Sequence, residues 1–246
     1  GCWGSLGSNV RIDRNEIHNC HDVGVDFEGC DNCSASYNKV YDCFNGNFAT
    51  FQYCTGKIDF TYNESYITQS AYAEGHNQHY FNSNATLASN VQDITFDHNY
   101  FWGVGQTFLN AQSAMRSFTF TNNNCVNTGV DTEAGNLRNT TITGNTFTVD
   151  SAFSGKRDFV VRARVSNSTN RFYAQDNTIT GTSPAVSKGL YVYHNSGNNG
   201  YATVSGNTIS GFAKNLHIHN GASSAFYVSV SGNSCGYTTE GSVTIQ

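Results

Sequence analysis

The sequence is poor in charge, in proline and in long apolar runs, and these shortages exclude several classes of protein. Only 13% of the 246 residues are charged, and the net charge is −5. A nucleic-acid-binding protein needs a stripe of Lys and Arg to neutralise phosphates, and no such stripe is present. No apolar run reaches the ~18 residues that a membrane-spanning helix needs, and no signal peptide is visible. The 24 glycines and the many Asn, Thr and Ser residues instead favour a turn-rich all-β chain.

A short motif recurs along the chain. It reads TITGNTF at 141–147, TVSGNTI at 203–209 and SVSGNSC at 229–235. Alignment on its asparagine gives nine copies, spaced 22 to 36 residues apart. Apolar or small residues occupy most positions five and three before the asparagine and two after it. The nine asparagines are Asn15, Asn38, Asn63, Asn99, Asn123, Asn145, Asn177, Asn207 and Asn233.

The alternation of apolar and polar residues before each asparagine is typical of a strand with one buried face. The asparagine predicts a turn, because its side chain hydrogen-bonds nearby backbone and it tolerates left-handed geometry. One such repeat cannot bury its apolar face alone, whereas stacked copies form a continuous core, so the sequence predicts a solenoid. Leucine is too scarce for a leucine-rich repeat.

A second strand follows most of the asparagines. Its clearest apolar positions are Val23/Val25/Phe27, Phe159/Val161/Ala163/Val165, Leu190/Val192, Leu216/Ile218 and Val243/Ile245. With two strands in each coil, the chain resembles the right-handed parallel β-helix proteins of the pectate-lyase-like superfamily over essentially its whole length. The resemblance implies one all-β domain over 1–246, a single-stranded solenoid of about nine coils. Long coils predict loop insertions near 66–89, 152–158 and 181–188, and the His and aromatic residues of 66–89 favour a functional loop there.

Two further expectations concern the ends of the chain and its cysteines. No capping helix is evident at either end, which predicts a fragment of a longer protein. Cys20 and Cys43 each lie five residues after an asparagine of the repeat, so stacked coils place them ~4.8 Å apart, within disulfide range. They form either a bridge between coils or a column of small buried thiols.

The outward positions of the second strand form a grid of polar side chains. At ~6.8 Å along a strand and ~4.8 Å between coils, the grid has the size of about three or four sugar rings. Its members, coil by coil, are Asp131 and Glu133, Arg162 and Arg164, Tyr191 and Tyr193, and His217 and His219.

This combination of acids, guanidinium groups, phenols and imidazoles predicts a carbohydrate site. Glu133 and Asp131 are the candidate catalytic residues, since two carboxylates on one face can act as general acid and base, or as acid and nucleophile. Arg162 would hold them ionised and could bind a substrate carboxylate through two donors. The two tyrosines offer flat faces to sugar rings. The predicted substrate-binding residues are Arg162, Arg164, Tyr191, Tyr193 and His217, and no cofactor is predicted.

Simpler interpretations of these residues stay open. Opposite charges on neighbouring strands are also ordinary cross-strand pairs, worth ~0.2–1 kcal/mol. His217 and His219 point the same way and could chelate a metal, but the sequence places no third ligand in register with them. No metal site is therefore predicted.

Two other acidic pairs are rivals for the catalytic role. Asp59 and Asp97, on the first strand of consecutive coils, are expected ~8 Å apart, a separation that suits inverting hydrolysis. The insertion that contains His79 is expected to overhang them. Asp26 and Glu28 form a further outward pair, without basic or aromatic neighbours in the next coil.

Known enzymes with this fold include pectate lyases, polygalacturonases, uronate epimerases and phage tailspike depolymerases. The Asn-Thr-Asp and Gly-His-Gly motifs of polygalacturonases and the Asp-Pro-His motif of alginate epimerases are absent. With its irregular coils, many Asn and Gly residues and unpaired Cys, the chain is most similar in style to the bacteriophage tailspikes. This similarity implies a homotrimer, located extracellularly or on the virion tail, that recognises a capsule or lipopolysaccharide and depolymerises it by hydrolysis.

Two alternative functions remain at this point. In a polysaccharide lyase, Arg162 would neutralise a uronate while Tyr191 or His217 removes its C5 proton. A non-catalytic adhesin or structural stalk would bind glycan without changing its length.

Overall fold

The computed structural model of the chain describes residues 7–51, 53–82, 92–111, 115–132, 139–165 and 171–246, and the backbone of 2–5. These residues form 26 strands and one five-residue helix, α1 (Gln69–Ala73). No helix in these ranges is long and apolar enough to cross a membrane. The strands in chain order are β1 (Cys2–Ser5), β2 (Arg11–Asp13), β3 (Glu16–His18), β4 (Val23–Glu28), β5 (Asp31–Ser36), β6 (Lys39–Tyr41), β7 (Gly46–Thr50), β8 (Thr55–Thr61), β9 (Glu64–Ile67), β10 (Gln78–Asn82), β11 (Gln92–Asp97), β12 (Tyr100–Asn110), β13 (Ser117–Thr121), β14 (Asn124–Thr132), β15 (Asn139–Thr143), β16 (Thr146–Val149), β17 (Phe159–Val165), β18 (Arg171–Gln175), β19 (Thr178–Gly181), β20 (Lys188–His194), β21 (Gly200–Ser205), β22 (Thr208–Ser210), β23 (Lys214–Asn220), β24 (Phe226–Ser231), β25 (Tyr237–Glu240) and β26 (Val243–Ile245).

The strands that precede the asparagines stack into one parallel ten-stranded sheet. Its order is β2-β5-β8-β11-β13-β15-β18-β21-β24-β26. The residues three before each asparagine lie in register from coil to coil, as Phe60, Phe96, Phe120 and Ile142 do. These four side chains are buried, so they form a continuous column in the core. The prediction of an all-β parallel β-helix solenoid is confirmed.

The second strands form a parallel sixteen-stranded sheet. Its main order is β1-β4-β7-β10-β12-β14-β17-β20-β23-β25, and the short strands that directly follow the asparagines pair at its side. In two coils the short and the long strand are continuous, as β12 and β14. Val243 and Ile245 were assigned wrongly to a second strand, because they lie in β26 of the ten-stranded sheet. The true second strand of the ninth coil, β25, is exposed at all four residues and therefore shows no apolar alternation.

The nine asparagines stack into a ladder that runs along the solenoid. Each of the first eight donates from its backbone N–H and its side-chain amide to Oδ1 of the next one, as Asn123 does to Asn145 at 2.8 and 3.1 Å. From the second coil onward, the amide also donates to a backbone oxygen of the preceding coil, as Asn145 does to Phe120 at 2.8 Å. Asn38 to Asn207 are buried, so the ladder satisfies polar groups that water does not reach.

The asparagine itself does not take the left-handed turn that its sequence suggests. The residue before it does, and φ is 57° at Tyr37, 55° at His98 and 68° at Gly144. The asparagine side chain hydrogen-bonds to both neighbouring coils, so the sharp change of direction occurs one residue earlier. A tyrosine in this conformation is uncommon.

Only part of the predicted insertion at 66–89 is a loop. Helix α1 and the turn after it leave the regular coil, but Gln78–Asn82 is β10, the ordinary second strand of that coil. His79 and Tyr80 are fully buried in this strand. The expectation that His79 overhangs the acidic pair is therefore wrong, since its ring binds buried Ser and Thr hydroxyls. Residues 83–89 lie outside the described residues.

Cys20 and Cys43 are neighbours in adjacent coils, as their equal offset from the asparagines predicts, and both are free thiols. Burial raises the pKa of Cys43 to about 12. Of the two interpretations of this pair, the column of thiols describes the structure.

Candidate functional site

The predicted grid lies on the outer face of the sixteen-stranded sheet, and its described members have the expected register. The first column, from coil five to coil nine, is Asp131, Arg162, Tyr191, His217 and Thr238. The second column is Arg164, Tyr193, His219 and Glu240. Glu133, the other predicted catalytic residue, lies outside the described residues.

Asp131 is not the solvent-facing acid that its outward position suggests. Its side chain is fully buried, and Arg162 donates to it through Nε (2.8 Å to Oδ1) and Nη2 (3.0 Å to Oδ2). Arg157, in the coil-six loop, places its Nε 3.0 Å from Oδ2 of the same carboxylate. Two guanidinium groups favour the charged form of a carboxyl group and occupy its oxygens. Asp131 is therefore suited to position two cations and poorly suited to donate a proton.

Two of the loop segments meet beside Asp131. The backbone N–H of Gln106, in β12, donates to the hydroxyl of Tyr72 in α1 at 3.0 Å. The side chain of Gln106 donates to the backbone oxygen of Arg157 at 2.7 Å and accepts from its backbone N–H at 3.1 Å. Gln106 thus connects the helix of coil three to the loop of coil six.

A groove of about 400 Å³ lies between these segments, within the size range of small-ligand sites. Lys156 and Arg157 make it cationic. The residues that line it are Tyr72, Asn77, Gln78, Gln106, Phe108, Asn110, Gly155, Lys156 and Arg157.

Asn110 joins the groove to the first column of the grid. It lies one coil before Asp131 and pairs with it in the sheet. Its amide donates to Oε1 of Gln78 at 2.9 Å. Within the described ranges its buried Oδ1 has no hydrogen-bond partner. A buried acceptor without a partner costs free energy, and Asn110 is one of the residues that line the groove.

In coils seven and eight, the columns consist of aromatic and imidazole rings. The ring centroid of Tyr191 lies 5.6 Å from that of Tyr193 and 5.4 Å from that of His217. Burial raises the pKa of Tyr191 to about 12, so the phenol keeps its proton at neutral pH. Burial, with a contribution from the charge of Lys214, lowers the pKa of His217, so this imidazole is neutral at neutral pH.

The rival pair on the first strand is engaged by other residues. Nζ of Lys57 lies 2.9 Å from Oδ2 of Asp59. Partial burial acts to raise the pKa of Asp97, but hydrogen bonds, of which that from His98 is the largest, lower it overall. An ion-paired Asp59 and an Asp97 of low pKa do not provide a general acid.

Asp26 has the electrostatics of a proton donor. Burial first, and then the charges of Glu28 and Asp22, raise its pKa to about 7. A carboxyl with a raised pKa beside a second carboxyl is the arrangement of an acid–base pair. Its column passes through Ala49 and Phe81 before it reaches the groove. Asp26 is therefore four coils, or ~19 Å, from Asp131, and the two do not share one site.

Two columns of rings that flank the asparagine ladder were missed in the sequence. Their neighbouring ring centroids lie 4.3 to 5.0 Å apart and the rings are stacked. These rings occur at a constant distance in sequence from the asparagine of each repeat. An alignment of the repeats that includes the outward positions as well as the apolar ones reveals them. The members are Tyr37, Tyr62 and His98, one residue before the asparagine, and His18, Tyr41, Tyr66 and Trp102, three residues after it.

No family model, curated protein or solved structure matches the chain. Fold alone does not determine function. Any functional conclusion therefore has to rest on the chemistry of the groove and of the two grid columns that begin at Asp131 and Arg164. The chain is all-β, and its stacked parallel sheets form a parallel β-helix.

Proposed function

We propose that the protein binds an anionic bacterial surface polysaccharide, a capsule or lipopolysaccharide chain, and depolymerises it by hydrolysis of glycosidic bonds. The supporting observation is the cationic groove and its continuation through Asn110, Arg162 and Tyr191 on one outer face. From Asn110 to His217 this path is four coils long, ~19 Å, enough for several sugar units.

Each part of the path offers contacts that suit an acidic sugar chain. Lys156 and Arg157 supply positive charge, and Asn110 supplies an acceptor for a hydroxyl. The half-buried rings of Tyr191 and Tyr193 offer apolar surface with a hydroxyl at the edge, as sugar-binding surfaces need. Arg164 extends the polar contacts, whereas His217, also predicted to bind substrate, is buried.

The proposed chemistry assigns different roles to the two acids. Glu133 would protonate the leaving oxygen, because hydrolysis requires a carboxyl that can donate a proton. Asp131 would hold Arg157 and Arg162 in place, since both of its oxygens already bind guanidinium groups. The similarity in style to phage tailspikes supports a homotrimer on a virion tail or outside the cell, as part of the same proposal.

A second candidate reaction, β-elimination on a uronate, is favoured by one observation. Arg162, Tyr191 and His217 are successive residues of one column, and the lowered pKa of His217 leaves a neutral imidazole at neutral pH. Arg162 would neutralise the uronate, and His217 or Tyr191 would remove the C5 proton, because a general base must be unprotonated at the working pH.

Incubation with a panel of bacterial capsules and lipopolysaccharides, followed by mass spectrometry of the products, tests these proposals. Hydrolysis adds one water to each cleaved bond, whereas elimination gives an unsaturated end that absorbs near-ultraviolet light. Binding without any change of chain length identifies an adhesin. If both Glu133→Gln and Asp131→Asn release reducing ends at the parental rate, neither the acid role of Glu133 nor the positioning role of Asp131 stands.

The groove itself is tested by charge removal at its edge. Lys156→Ala should weaken binding of an acidic glycan that the parent protein binds, because the groove loses one cation. Lys57→Ala is the matched control, since Lys57 is an exposed lysine paired with Asp59 on the other sheet. Equal affinities for all three proteins would exclude the groove as the binding surface.

A further inference from the structure

Three potential metal ligands converge on the outer face of the last two coils. His217 and His219 belong to β23, and Glu240 belongs to β25. One ligand atom from each of the three lies within 4.8 Å of the others. Nε2 of His217 is 3.2 Å from Oε2 of Glu240, and Nε2 of His219 is 3.9 Å from Oε1.

Two of the separations approach those of a tetrahedral site, but they involve different oxygens of Glu240, and the three ligand atoms have to draw together from as much as 4.8 Å. With metal–ligand distances of about 2.0–2.2 Å, neighbouring ligand atoms lie about 3.3–3.5 Å apart. The His217–Glu240 separation already has nearly this value, and the His219–Glu240 separation has to shorten by roughly half an ångström. The Glu240 side chain is 58% exposed, so its rotamer can adjust, while His217 is fixed by burial.

The other nitrogen of each imidazole already has a partner. Nδ1 of His217 lies 2.9 Å from the hydroxyl of Thr238, and Nδ1 of His219 lies 2.9 Å from the hydroxyl of Tyr191. Metal-binding histidines characteristically hydrogen-bond through the second ring nitrogen, which orients the ring and fixes its tautomer. When each Nδ1 donates to its hydroxyl, both Nε2 lone pairs are directed at the Glu240 carboxylate, where a cation would lie between them.

An ordinary ion pair explains this arrangement less completely. One exposed glutamate needs only one imidazole partner, whereas here two rings from one strand face the same carboxylate and each has its own hydroxyl behind it. Elsewhere in the described residues, His98 and Asp97 form such a simple pair, with 2.8 Å between Nδ1 and Oδ2.

We infer that His217, His219 and Glu240 bind a divalent transition metal of the zinc class. Two histidines and one carboxylate are a ligand set that zinc uses in sites with three protein ligands, which leaves a fourth position open. That position faces solvent next to Tyr191 and Tyr193, where water or a carboxylate or hydroxyl of a bound molecule can occupy it. The inference goes beyond the proposed function and does not depend on it.

Isothermal titration of the full chain with zinc chloride tests the site. The protein carries no histidine tag, and Cys2, Cys20 and Cys235 are replaced by serine to remove competing thiols. The parent should bind one zinc per chain. His219→Ala and Glu240→Gln should abolish that binding, while His98→Ala should retain it.

Thr238→Val examines the hydrogen bond behind His217. Loss of such a bond typically weakens metal affinity 10–100-fold, and the same change should not affect a coincidental surface contact. Cobalt(II) gives a second readout, because a tetrahedral site produces intense visible bands that titrate with the same stoichiometry.

The inference is overturned if the parent binds no zinc, or if His219→Ala and Glu240→Gln bind it as the parent does. The melting temperature without metal shows whether these two surface variants still fold. If they do not, the cobalt spectrum of the parent decides, and its lack of tetrahedral bands excludes the site. Metal binding is measured without glycan. Absence of zinc binding therefore leaves the proposed polysaccharide activity standing, and absence of glycan cleavage leaves the proposed metal site standing.

Discussion

Replacement of one buried asparagine in the ladder should destabilise the protein far more than replacement of the first one. In Asn145→Ala, the backbone N–H and one amide hydrogen of Asn123 lose their shared acceptor, Oδ1 of Asn145. Asn145 is buried, so water does not replace the acceptor. At about 1–3 kcal/mol for each of these two buried groups left unpaired, the free energy of unfolding should fall by about 2–6 kcal/mol.

Asn15→Ala is the matched control. Asn15 is exposed, and its amide donates to Oδ1 of Asn38, which still accepts from the backbone N–H of residue 15 after the substitution. No buried donor is left without a partner, so the expected cost is below about 1 kcal/mol.

Urea denaturation followed by circular dichroism measures both values. Solenoids can unfold in parts, so the comparison requires that the dependence of unfolding free energy on urea be the same in all three proteins. Equal costs for the two variants, or a cost below about 1 kcal/mol for Asn145→Ala, would refute the view that the ladder satisfies buried groups that nothing else can reach.

Three further predictions concern charges. Burial lowers the pKa of His79 from 6.5 to about 3, so the stability it contributes is complete above pH 6.5 and is lost as the pH falls towards 3. Between pH 7 and pH 4.5, urea titrations should show that the free energy of unfolding of the parent protein falls by about 2–3 kcal/mol. This fall should be absent in His79→Gln and present in the exposed control His98→Gln. Identical falls in all three proteins would contradict this. The pKa of Asp26 is raised from 3.8 to about 7, so its contribution is present below pH 3.8 and is lost as the pH rises to 7. Asp26→Asn should therefore raise the melting temperature at pH 8 more than at pH 4 in a thermal-shift assay, and an equal change at both values would count against the raised pKa. Asp131→Ala leaves two guanidinium groups without their shared partner and should cost about 3–5 kcal/mol in a urea titration, whereas a cost near zero would show that solvent compensates both cations.

The repeat predicts most of the fold because one position, the asparagine, makes the same contacts in every coil. Counting from it places the strands of the ten-stranded sheet and, in coils five to eight, the register of the outward columns. This succeeds where the second strand alternates regularly, as in Phe159–Val165. It failed for β25, whose exposed residues have no alternation, and the position of Glu240 beside His219 was missed for that reason.

The burial of Asp131 could not be predicted from the repeat. Its partner Arg157 belongs to a loop that departs from the coil, and nothing in the spacing indicates where that loop lies. The same limit applies to His79, because its coil is lengthened before the strand, and the position of the regular strand within the long segment depends on contacts with Phe48 and Leu109 of neighbouring coils.

Because of the ladder, the stacking of neighbouring coils does not depend on the number of residues in each coil. The bond from Asn63 to Asn99 spans 36 residues and the bond from Asn123 to Asn145 spans 22, yet both measure 2.8 Å. The segments that frame the groove leave the coil after one ladder position and rejoin it before the next. Chains with the same asparagine ladder could therefore acquire loops of other lengths and charges through insertion or exchange. Their ligand would then change while the packing of the core stays the same.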